Sequence, residues 1–421
     1  MVRIAFTTLG CKSNHYDTEC IIEACRRCGY DVVLLDECAD AYVINTCTVT
    51  ALADAQSRQF LRKVKRRSPA ARVIAIGCST QNDAATYSTM NEVDAVFGVR
   101  CVAEVLRYLS DAFGHGRKEE APALSCVPTQ QSRARALLKI QDGCDRRCTY
   151  CAVWRARGPS VSVPADDVLH GFAALKDYPE VMLTGIHVGQ YGGDLVPEMR
   201  FAQLVRTLAE SKGPRVRIGS LNPDELDDEI CALFRHPRVC RHLHLSLQSG
   251  ASRVLAAMGR TYTPDHVAAS IAGLVARVPG MAVGMDVIAG FPGETIEDHR
   301  ATVAFIAALP VALLHVFPFS PRPGTLAAAL PHQVPHAERK RRAQELLAVG
   351  RAKRTAFAAR QIGTEAFAVV TKRTPDRDGQ VTAVTDNYVT VRLRGDGSEY
   401  GKGGNVRLTA MAGEEVRGQW I

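Results

Sequence analysis

Three cysteines in one short stretch constrain this chain more than any other feature of its sequence. Cys144, Cys148 and Cys151 follow the apolar run 137–140 in a C-x3-C-x2-C spacing. A loop leaving a strand can wrap three thiolates around one face of an iron–sulfur cube, a kind of cluster that usually takes four cysteines. Structural zinc prefers four ligands, commonly as two C-x2-4-C pairs, and no second pair follows at the usual distance. The spacing therefore favours a cluster with one open iron over zinc or buried thiols.

Composition narrows the class of protein. The chain has 421 residues, enough for two or three domains, and its 46% hydrophobic and 23% charged content is ordinary for a soluble protein. Its net charge of +8 permits a polyanionic partner. We expect no signal peptide and no membrane span, because Pro310 and His315 interrupt the longest apolar run, 302–319. Fourteen cysteines without a secretion signal then favour metal or redox chemistry in the cytoplasm over a disulfide scaffold.

Residues 1–112 are predicted to form an α/β domain with a doubly wound parallel sheet. Apolar strands at 3–8, 31–35, 41–45, 73–76 and 95–97 alternate with helices at 17–27, 51–67 and 102–111. Cys11, Cys47 and Cys78 each follow one of these strands. Open parallel sheets bind ligands at the carboxyl ends of their strands, so the three thiols could converge there. The pattern alone is equally compatible with three unrelated buried cysteines.

After a linker at 113–135, residues 136–360 are predicted to form a partial (β/α)6 barrel. Strands are expected at 137–140, 181–184, 215–219, 242–246, 282–288 and 313–317, with helices at 166–177, 201–211, 224–234, 264–277 and 296–309. Barrel active sites lie at the carboxyl ends of the strands, where the cysteine loop also falls. Glycine, hydroxyl and amide groups at these ends can bind an amino acid or a ribose. The candidate cofactor-binding residues are Thr184, Gly185, Asn222, Gln248 and Ser249.

The last part of the chain gives a weak indication that the protein binds nucleic acid. A helix at 336–360 leads into residues 361–421, where strands at 366–371, 380–384, 388–393 and 405–410 predict a small all-β barrel. Such barrels often bind nucleic acid, although an ordinary β domain would look much the same. Two helices carry basic tracts, which favour RNA slightly over solvated helix faces. The tracts are Arg58, Arg62, Lys63, Lys65, Arg66 and Arg67, and Arg339, Lys340, Arg341, Arg342, Arg351, Lys353 and Arg354.

Residues 142–151 resemble the radical S-adenosylmethionine motif. Combined with Cys11, Cys47 and Cys78, the chain resembles the methylthiotransferases, which join an extra cluster domain, a radical domain and a terminal TRAM domain. Residues 6–12, 45–54 and 385–388 look most like the MtaB branch of that family. That branch methylthiolates carbon 2 of the adenine of N6-threonylcarbamoyladenosine beside the tRNA anticodon. The branches acting on isopentenyl-adenosine tRNA or on a ribosomal-protein aspartate are the alternatives.

The resemblance implies two 4Fe-4S clusters and no catalytic residue beyond them. Cys144, Cys148 and Cys151 would hold the radical cluster, whose open iron takes S-adenosylmethionine. Cys11, Cys47 and Cys78 would hold a second cluster that supplies the sulfur. The implied partners are the tRNA anticodon stem-loop and an electron donor such as flavodoxin or ferredoxin, with the enzyme acting as a monomer.

The chain departs from the family pattern close to the expected site. The family usually has proline where this chain has Trp154, and arginines are common near Val161 and Val163. The MtaB branch often has glutamate where Asn222 stands. Two other hypotheses stay open at this point: a metal-stabilised RNA-binding protein without chemistry, and a radical enzyme that acts on protein.

Overall fold

The computed structural model describes residues 1–114 and 126–421. The N-terminal part is a five-stranded parallel sheet in the order β2-β1-β3-β4-β5. Its strands are β1 (Arg3–Thr8), β2 (Asp31–Val33), β3 (Ala41–Thr46), β4 (Arg72–Gly77) and β5 (Ala95–Val96). Its helices are α1 (Lys12–Arg27), α2 (Ala51–Arg67), α3 (Cys78–Asn82), α4 (Ala84–Ser88) and α5 (Val102–Phe113).

Helices cover both faces of this sheet, because side chains alternate along each strand. Ile4 and Ile74 pack in a core with α1 and α5, whereas their neighbours Ala5 and Ala75 pack in a second core with α2. The predicted doubly wound sheet is therefore confirmed. The helix expected at 17–27 begins five residues earlier, at Lys12, so Cys11 is its N-cap residue. The short helices α3 and α4 were not predicted.

The central part is an open parallel barrel made of two sheets, β10-β9-β6 and β11-β12-β13-β14. The strands are β6 (Ala136–Lys139), β9 (Glu180–Thr184), β10 (Arg215–Arg217), β11 (Ser220–Leu221), β12 (His242–Gln248), β13 (Ala282–Ala289) and β14 (Leu313–Pro318). A small antiparallel pair, β7 (Gln141–Asp142) with β8 (Val161–Ser162), adjoins the cysteine loop. The strand expected at 215–219 ends at Arg217, and the short strand β11, which was not predicted, follows at Ser220 in the second sheet.

Helices surround this barrel, and its large core is made of side chains from both layers. The helices are α6 (Val153–Arg157), α7 (Ala165–Ala174), α8 (Phe201–Glu210), α9 (Asp228–Leu233), α10 (Ser252–Ala257), α11 (Pro264–Arg277), α12 (Ile296–Ala308), α13 (Leu326–Ala329) and α14 (His336–Arg360). The helix expected at 224–234 starts as the 3-10 turn Pro223–Glu225 and becomes α-helical only at Asp228. No helix within residues 1–114 or 126–421 is long and apolar enough to cross a membrane.

The C-terminal part is a closed five-stranded barrel in the order β15-β16-β17-β19-β18. Its strands are β15 (Glu365–Val370), β16 (Gln380–Thr385), β17 (Thr390–Arg394), β18 (Gly403–Ala412) and β19 (Glu415–Trp420). The small all-β barrel is confirmed, although its fifth strand, β19, was not predicted. The strand expected at 388–393 begins only at Thr390, because Tyr388 adopts a φ of 67° that no strand permits.

Ion pairs and hydrogen bonds join the C-terminal barrel to the central one. The Arg241 Nε lies 2.9 Å from Asp386, and the buried Arg217 donates to the backbone oxygens of Thr385 and Asp386. Of the predicted linker at 113–135, residues 115–125 lie outside the described part of the chain. Residues 126–135 run without helix or strand, and Ser132 binds Glu19 of α1. The boundaries predicted at 112, 135 and 360 stay predictions.

Candidate cluster sites and the cleft between them

The loop that carries Cys144, Cys148 and Cys151 is anchored by the buried side chain of Gln141. Its amide oxygen accepts hydrogen bonds from the backbone N–H groups of Ile186 (3.1 Å) and His187 (2.8 Å), just beyond β9. Its amide nitrogen donates to the backbone oxygens of Asp142 (3.0 Å) and Gly143 (2.8 Å). One side chain thus fixes the start of the loop to the carboxyl end of the neighbouring strand.

Gly143 lets this loop turn. Its φ is +74°, and a Cβ placed on it would lie 1.8 Å from the backbone oxygen of Pro159. Cys144 donates its backbone N–H to the oxygen of Gly158 (3.0 Å), which closes the loop against the following segment. Only glycine combines this backbone angle with such a close approach.

The three thiols of the loop are close enough to influence one another's charge. Burial raises the pKa of Cys144 to about 11, and burial also raises the pKa of Cys151. The Sγ of Cys151 accepts the backbone N–H of Val153 at 3.4 Å, and the Sγ of Cys144 lies 3.6 Å from His187 Nδ1. Buried thiols of this kind ionise when a metal binds them. The donor set fits a thiolate-bound iron cluster.

The second set of thiols converges at the carboxyl ends of three adjacent strands, β1, β3 and β4. The Sγ atoms of Cys11 and Cys78 lie 3.5 and 3.6 Å from the same atom, Asn14 Oδ1. A Cβ on Gly10 would lie 2.7 Å from Cys47 Sγ, so Cys47 packs directly against the loop before Cys11. The structure therefore brings together three cysteines that the sequence left either convergent or unrelated.

Burial of this second set opposes ionisation of its thiols, whereas neighbouring N–H donors and a positive charge favour it. Burial raises the pKa of Cys47, and burial raises that of Cys78 to about 12 despite the positive charge of Arg157. The Val49 N–H points to Cys47 Sγ (3.5 Å) and Arg157 Nε to Cys78 Sγ (3.4 Å). Cys11 caps the N-terminus of α1, where the helix dipole favours negative charge. N–H donors aimed at sulfur are what a bound cluster requires.

A buried charge network connects the two sets of cysteines. Arg157 is fully buried and donates to Asp142 (2.9 Å), to Asp17 (2.8 Å) and to Asn14 (2.9 Å), in addition to Cys78. Lys139 lies between the same two aspartates. Burial alone would raise the pKa of Asp142, but Lys139 and Arg157 hold it well below its usual range. Asp142 therefore stays ionised, two residues before Cys144.

The predicted cofactor-binding residues lie in three different environments. Gly185 packs on the Gln141 side chain, and the Thr184 backbone oxygen accepts the N–H of Ile140 (3.0 Å). Gln248 has a φ of 70° and lines the cleft described below. Ser249 is buried, and its hydroxyl lies 3.2 Å from both the Thr302 hydroxyl and the Ala251 N–H. These contacts indicate that Ser249 packs against α12.

Asn222 belongs to a polar network beside the first cysteine loop. Its Oδ1 accepts from Arg260 (2.7 Å), and its Nδ2 lies 2.7 Å from His187 Nε2. Glu225 contacts the same His187 nitrogen and pairs with Arg146 (3.4 Å). A carboxylate therefore reaches this network from Glu225, although asparagine occupies position 222. Sequence reasoning missed Glu225 and His187, even though His187 follows β9 in the strand-end stretch 184–189.

Three other residues that depart from the family pattern have plain structural settings. Val163 is 3% exposed and packs in the central barrel core, where an arginine would place its charge among apolar side chains. Trp154 lies on α6 under Arg147, whose guanidinium carbon is 5.6 Å from the indole ring centroid. Val161 pairs with Asp142 between β8 and β7 and is only partly buried.

A cleft is lined by residues that neighbour both sets of cysteines along the chain. Val49 and Thr50, just after Cys47, and Tyr150, next to Cys151, all contribute to its lining. The remaining lining is Gln248, Asp286, Ile288, Phe317, Pro318, Phe319 and Ser320, at the carboxyl ends of β12, β13 and β14. A flat aromatic group fits between such apolar and aromatic walls.

The two basic tracts are less available than their composition indicates. On α2, Arg58 pairs with Asp54 (2.7 Å) and Lys65 with Asp94 (2.9 Å). On α14, Arg342 is buried against Glu294 (3.0 Å) and Arg341 binds Glu338 (2.8 Å). Part of the positive charge therefore stabilises the fold, whereas other cations of the tracts, such as Arg62, Lys63 and Arg66, remain exposed.

Comparison with known proteins agrees with this geometry. Residues 3–98 match the "Uncharacterized protein family UPF0004" and residues 138–306 match the "Radical SAM superfamily". The chain is 35% identical over 442 residues to "Threonylcarbamoyladenosine tRNA methylthiotransferase MtaB" of Bacillus subtilis (strain 168), covering 100% of this chain and 97% of the relative. It is 33% identical over 408 residues to the protein of the same name from Aquifex aeolicus (strain VF5), covering 94% and 97%.

Among solved structures, the radical S-adenosylmethionine methyltransferase TsrM from Kitasatospora setae, with cobalamin and a [4Fe-4S] cluster bound, shares the fold. Its TM-score is 0.56 at 14% identity, and the match covers 78% of this chain and 77% of that chain. Identity at this level supports the architecture alone. The full-length relatives carry the assignment: this chain belongs to the radical S-adenosylmethionine methylthiotransferase family, on its MtaB branch.

Proposed function

We propose that this protein transfers a methylthio group to carbon 2 of the adenine of N6-threonylcarbamoyladenosine, beside the anticodon of tRNA. One observation carries the proposal: sequence neighbours of both sets of cysteines, Val49 and Thr50 after Cys47 and Tyr150 before Cys151, line one cleft. A reaction that needs both a radical and a sulfur at one carbon atom requires two such centres within reach of the same substrate. The names of the full-length relatives supply the substrate.

Each set of cysteines holds one 4Fe-4S cluster in this proposal. Cys144, Cys148 and Cys151 bind the radical cluster, and Cys11, Cys47 and Cys78 bind the sulfur-donating one. When bound, the clusters and S-adenosylmethionine supply the radical, the sulfur and the methyl group. Thr184, Gly185, Asn222, Gln248 and Ser249 are proposed to surround S-adenosylmethionine, with Ser249 acting through packing.

The chain's own residues set the geometry of the reaction. The apolar cleft walls Ile288, Phe317 and Phe319 exclude water from the adenine. The Asp142–Arg157–Asp17 network fixes the N-terminal sheet against the radical loop, and so sets the separation of the two sites. Further contacts between the N-terminal and central parts, such as Arg322 to Thr48 (2.8 Å) and Asn82 to the Ala152 oxygen (3.2 Å), keep that separation constant.

We propose the boundaries 1–112, 113–135, 136–360 and 361–421 for the auxiliary-cluster domain, linker, radical domain and TRAM-like domain. We also propose that the protein acts as a monomer and takes electrons from flavodoxin or ferredoxin. The anticodon stem-loop of tRNA then approaches the cleft, with the C-terminal barrel contacting the RNA backbone.

The test is expression in a host that lacks its own threonylcarbamoyladenosine methylthiotransferase, followed by mass spectrometry of tRNA nucleosides. The methylthio derivative of threonylcarbamoyladenosine is expected. Its absence, or a methylthio product on isopentenyl-adenosine instead, would contradict the substrate.

A triple variant, Cys11→Ala, Cys47→Ala and Cys78→Ala, tests whether the two sets of cysteines have the separate roles proposed above. After anaerobic reconstitution it should bind about half of the wild-type iron and still cleave S-adenosylmethionine, but form no methylthio product. Cys38→Ala is the matched control, since Cys38 is exposed and outside both sets. Full iron content in the triple variant would refute the second cluster site.

A further inference from the structure

Three side chains inside the central barrel converge on one point. His244 of β12 approaches Asp286 of β13 (Nε2 to Oδ1, 2.9 Å), and His315 of β14 approaches the same oxygen (Nδ1 to Oδ1, 3.3 Å). One nitrogen or oxygen atom from each of these side chains lies within 4.8 Å of the other two. The His244–Asp286–His315 cluster thus offers two imidazole nitrogens and a carboxylate oxygen from three adjacent strands.

The register of the strands puts this cluster on one face of the sheet. Asp286 is paired directly with His315, and His244 is paired with Gly284, two residues before Asp286. Side chains on the other face, such as Met285, pack in the large core of the central barrel. Because side chains alternate along a strand, the three polar groups share the opposite face. A site held by strands keeps its geometry more precisely than one held by loops.

Gly284 makes room for the imidazole ring of His244. A Cβ placed on Gly284 would lie 2.5 Å from His244 Nδ1, closer than two such atoms approach. A glycine inside a strand often marks a place where another group comes close to the backbone. The ring therefore lies against Gly284 and presents its other nitrogen, Nε2, to Asp286.

The separations within the cluster match those between ligands of one metal ion. Zinc binds imidazole nitrogen and carboxylate oxygen at about 2.0–2.1 Å, so two such ligands in a tetrahedral site lie about 3.3 Å apart. The separations of 2.9 and 3.3 Å differ from this value by no more than about 0.4 Å. Two imidazoles and one carboxylate are a ligand set of catalytic zinc sites and of non-haem iron sites. Calcium and magnesium instead prefer oxygen ligands.

The cluster is open on one side. The side chains of His315 and Asp286 are 50% and 24% exposed, whereas that of His244 is 8% exposed. Asp286 also lines the cleft described above, together with Gln248. An ion can therefore enter, and water or an oxygen of a bound molecule can complete its coordination.

We propose that the His244–Asp286–His315 cluster binds one divalent transition-metal ion such as zinc. His244 and His315 each supply one ring nitrogen, Asp286 supplies a carboxylate oxygen, and the remaining position takes an oxygen ligand at the edge of the cleft. The inference goes beyond the proposed function and does not depend on it, because the three ligands are separate from both sets of cysteines.

Zinc binding to the full-length protein tests the proposal, because zinc is measured separately from cluster iron. The protein is first reconstituted anaerobically with iron and sulfide, which fills the cysteine sites, and is then dialysed against zinc at a series of concentrations. Elemental analysis of wild type should give about one zinc per chain with unchanged iron. Asp286→Asn and His244→Gln should each bind zinc at least about tenfold more weakly, since each removes a direct ligand.

His170→Gln is the matched control, since His170 is exposed on α7 and lies outside the cluster. It should bind zinc as wild type does. His315→Asn keeps the test decisive if a variant at a buried position fails to fold, because half of the His315 side chain is exposed. It should retain the wild-type iron content and lose zinc binding.

Three results would overturn the metal site. Wild type without bound zinc would make the cluster a set of hydrogen bonds only. Zinc retained by Asp286→Asn, His244→Gln and His315→Asn alike would place the ion on other side chains. Zinc that binds only as iron is lost would place it on the cysteines of the iron clusters. Failure of the proposed function is distinct, because it would appear in the tRNA nucleosides and leave zinc binding unchanged.

Discussion

The arginine between the two cysteine sets gives the sharpest prediction about stability. Arg157 and Asp142 have fully buried side chains, and Asp17 is 14% exposed. Replacing Arg157 with Met leaves both carboxylates without their strongest donor. Breaking a buried ion pair costs about 3–5 kcal/mol. Lys139 still reaches both aspartates, so we expect the lower end, about 3 kcal/mol.

The unfolding measurement can be restricted to the region of the Asp142–Arg157–Asp17 network. The chain has two tryptophans, and Trp154 shares the short helix α6 with Arg157. In a Trp420→Phe background, Trp154 fluorescence during urea unfolding of the cluster-free protein reports on this region alone. Arg157→Met should lower the free energy of unfolding by about 3 kcal/mol, with little change in the slope against urea.

The matched control is Arg155→Met on the same helix. Arg155 makes one long hydrogen bond, 3.5 Å to the Pro323 oxygen, and its loss should cost within about 0.5 kcal/mol. A cost below about 1 kcal/mol for Arg157→Met would refute the reasoning. It would mean that Lys139, together with Arg100 at 3.2 Å from Asp142, neutralises both aspartates.

Three further predictions concern the cysteine loop and the barrel. Val163→Arg should lower the free energy of unfolding by about 3 kcal/mol or more, since Val163 is buried in the core, whereas partly exposed Val161→Arg should change it little. Urea unfolding of both variants decides this. Gly143→Ala should reduce reconstituted iron to about half, because its Cβ would strike the Pro159 oxygen; full iron content would contradict it. Burial alone would raise the pKa of Asp286, but His244 and His315 lower this pKa below its usual value. The ionised Asp286 side chain therefore stabilises the fold above about pH 4, and this contribution is lost on acidification. Between about pH 5 and 3, the free energy of unfolding of Asp286→Asn should therefore fall less than that of wild type. Equal decreases in the two proteins would count against the ion pairs of Asp286 with His244 and His315.

The sequence was most informative where chemistry is local. The spacing of Cys144, Cys148 and Cys151 after a strand predicted their loop, and strand–helix alternation predicted the N-terminal parallel sheet and the central parallel barrel. Helix α2 was predicted with its exact bounds, since its polar and apolar pattern is uninterrupted and Thr50 caps it. Signals of this kind depend only on residues that are close together along the chain. They can therefore be read from the sequence alone.

Contacts between distant segments could be decided only by the tertiary structure. Cys11, Cys47 and Cys78 converge because β1, β3 and β4 are adjacent in the sheet, an order that no local pattern specifies. Helix α1 extends back to Lys12 because packing against the sheet outweighs the weak helical signal there.

The same reason explains the parts of the site that the sequence did not reveal. Arg157, Glu225 and the His244–Asp286–His315 cluster acquire their roles from partners far along the chain, and each would read as an ordinary polar residue alone. Ser249 is the opposite case. The sequence predicted that its hydroxyl, at the end of a strand, binds a cofactor, but in the structure this hydroxyl contacts Thr302. The sequence by itself determined which thiols this protein has and at which strand ends they stand. Folding decided which of them meet, and which charges and hydroxyls surround the cleft, because those depend on side-chain packing between segments.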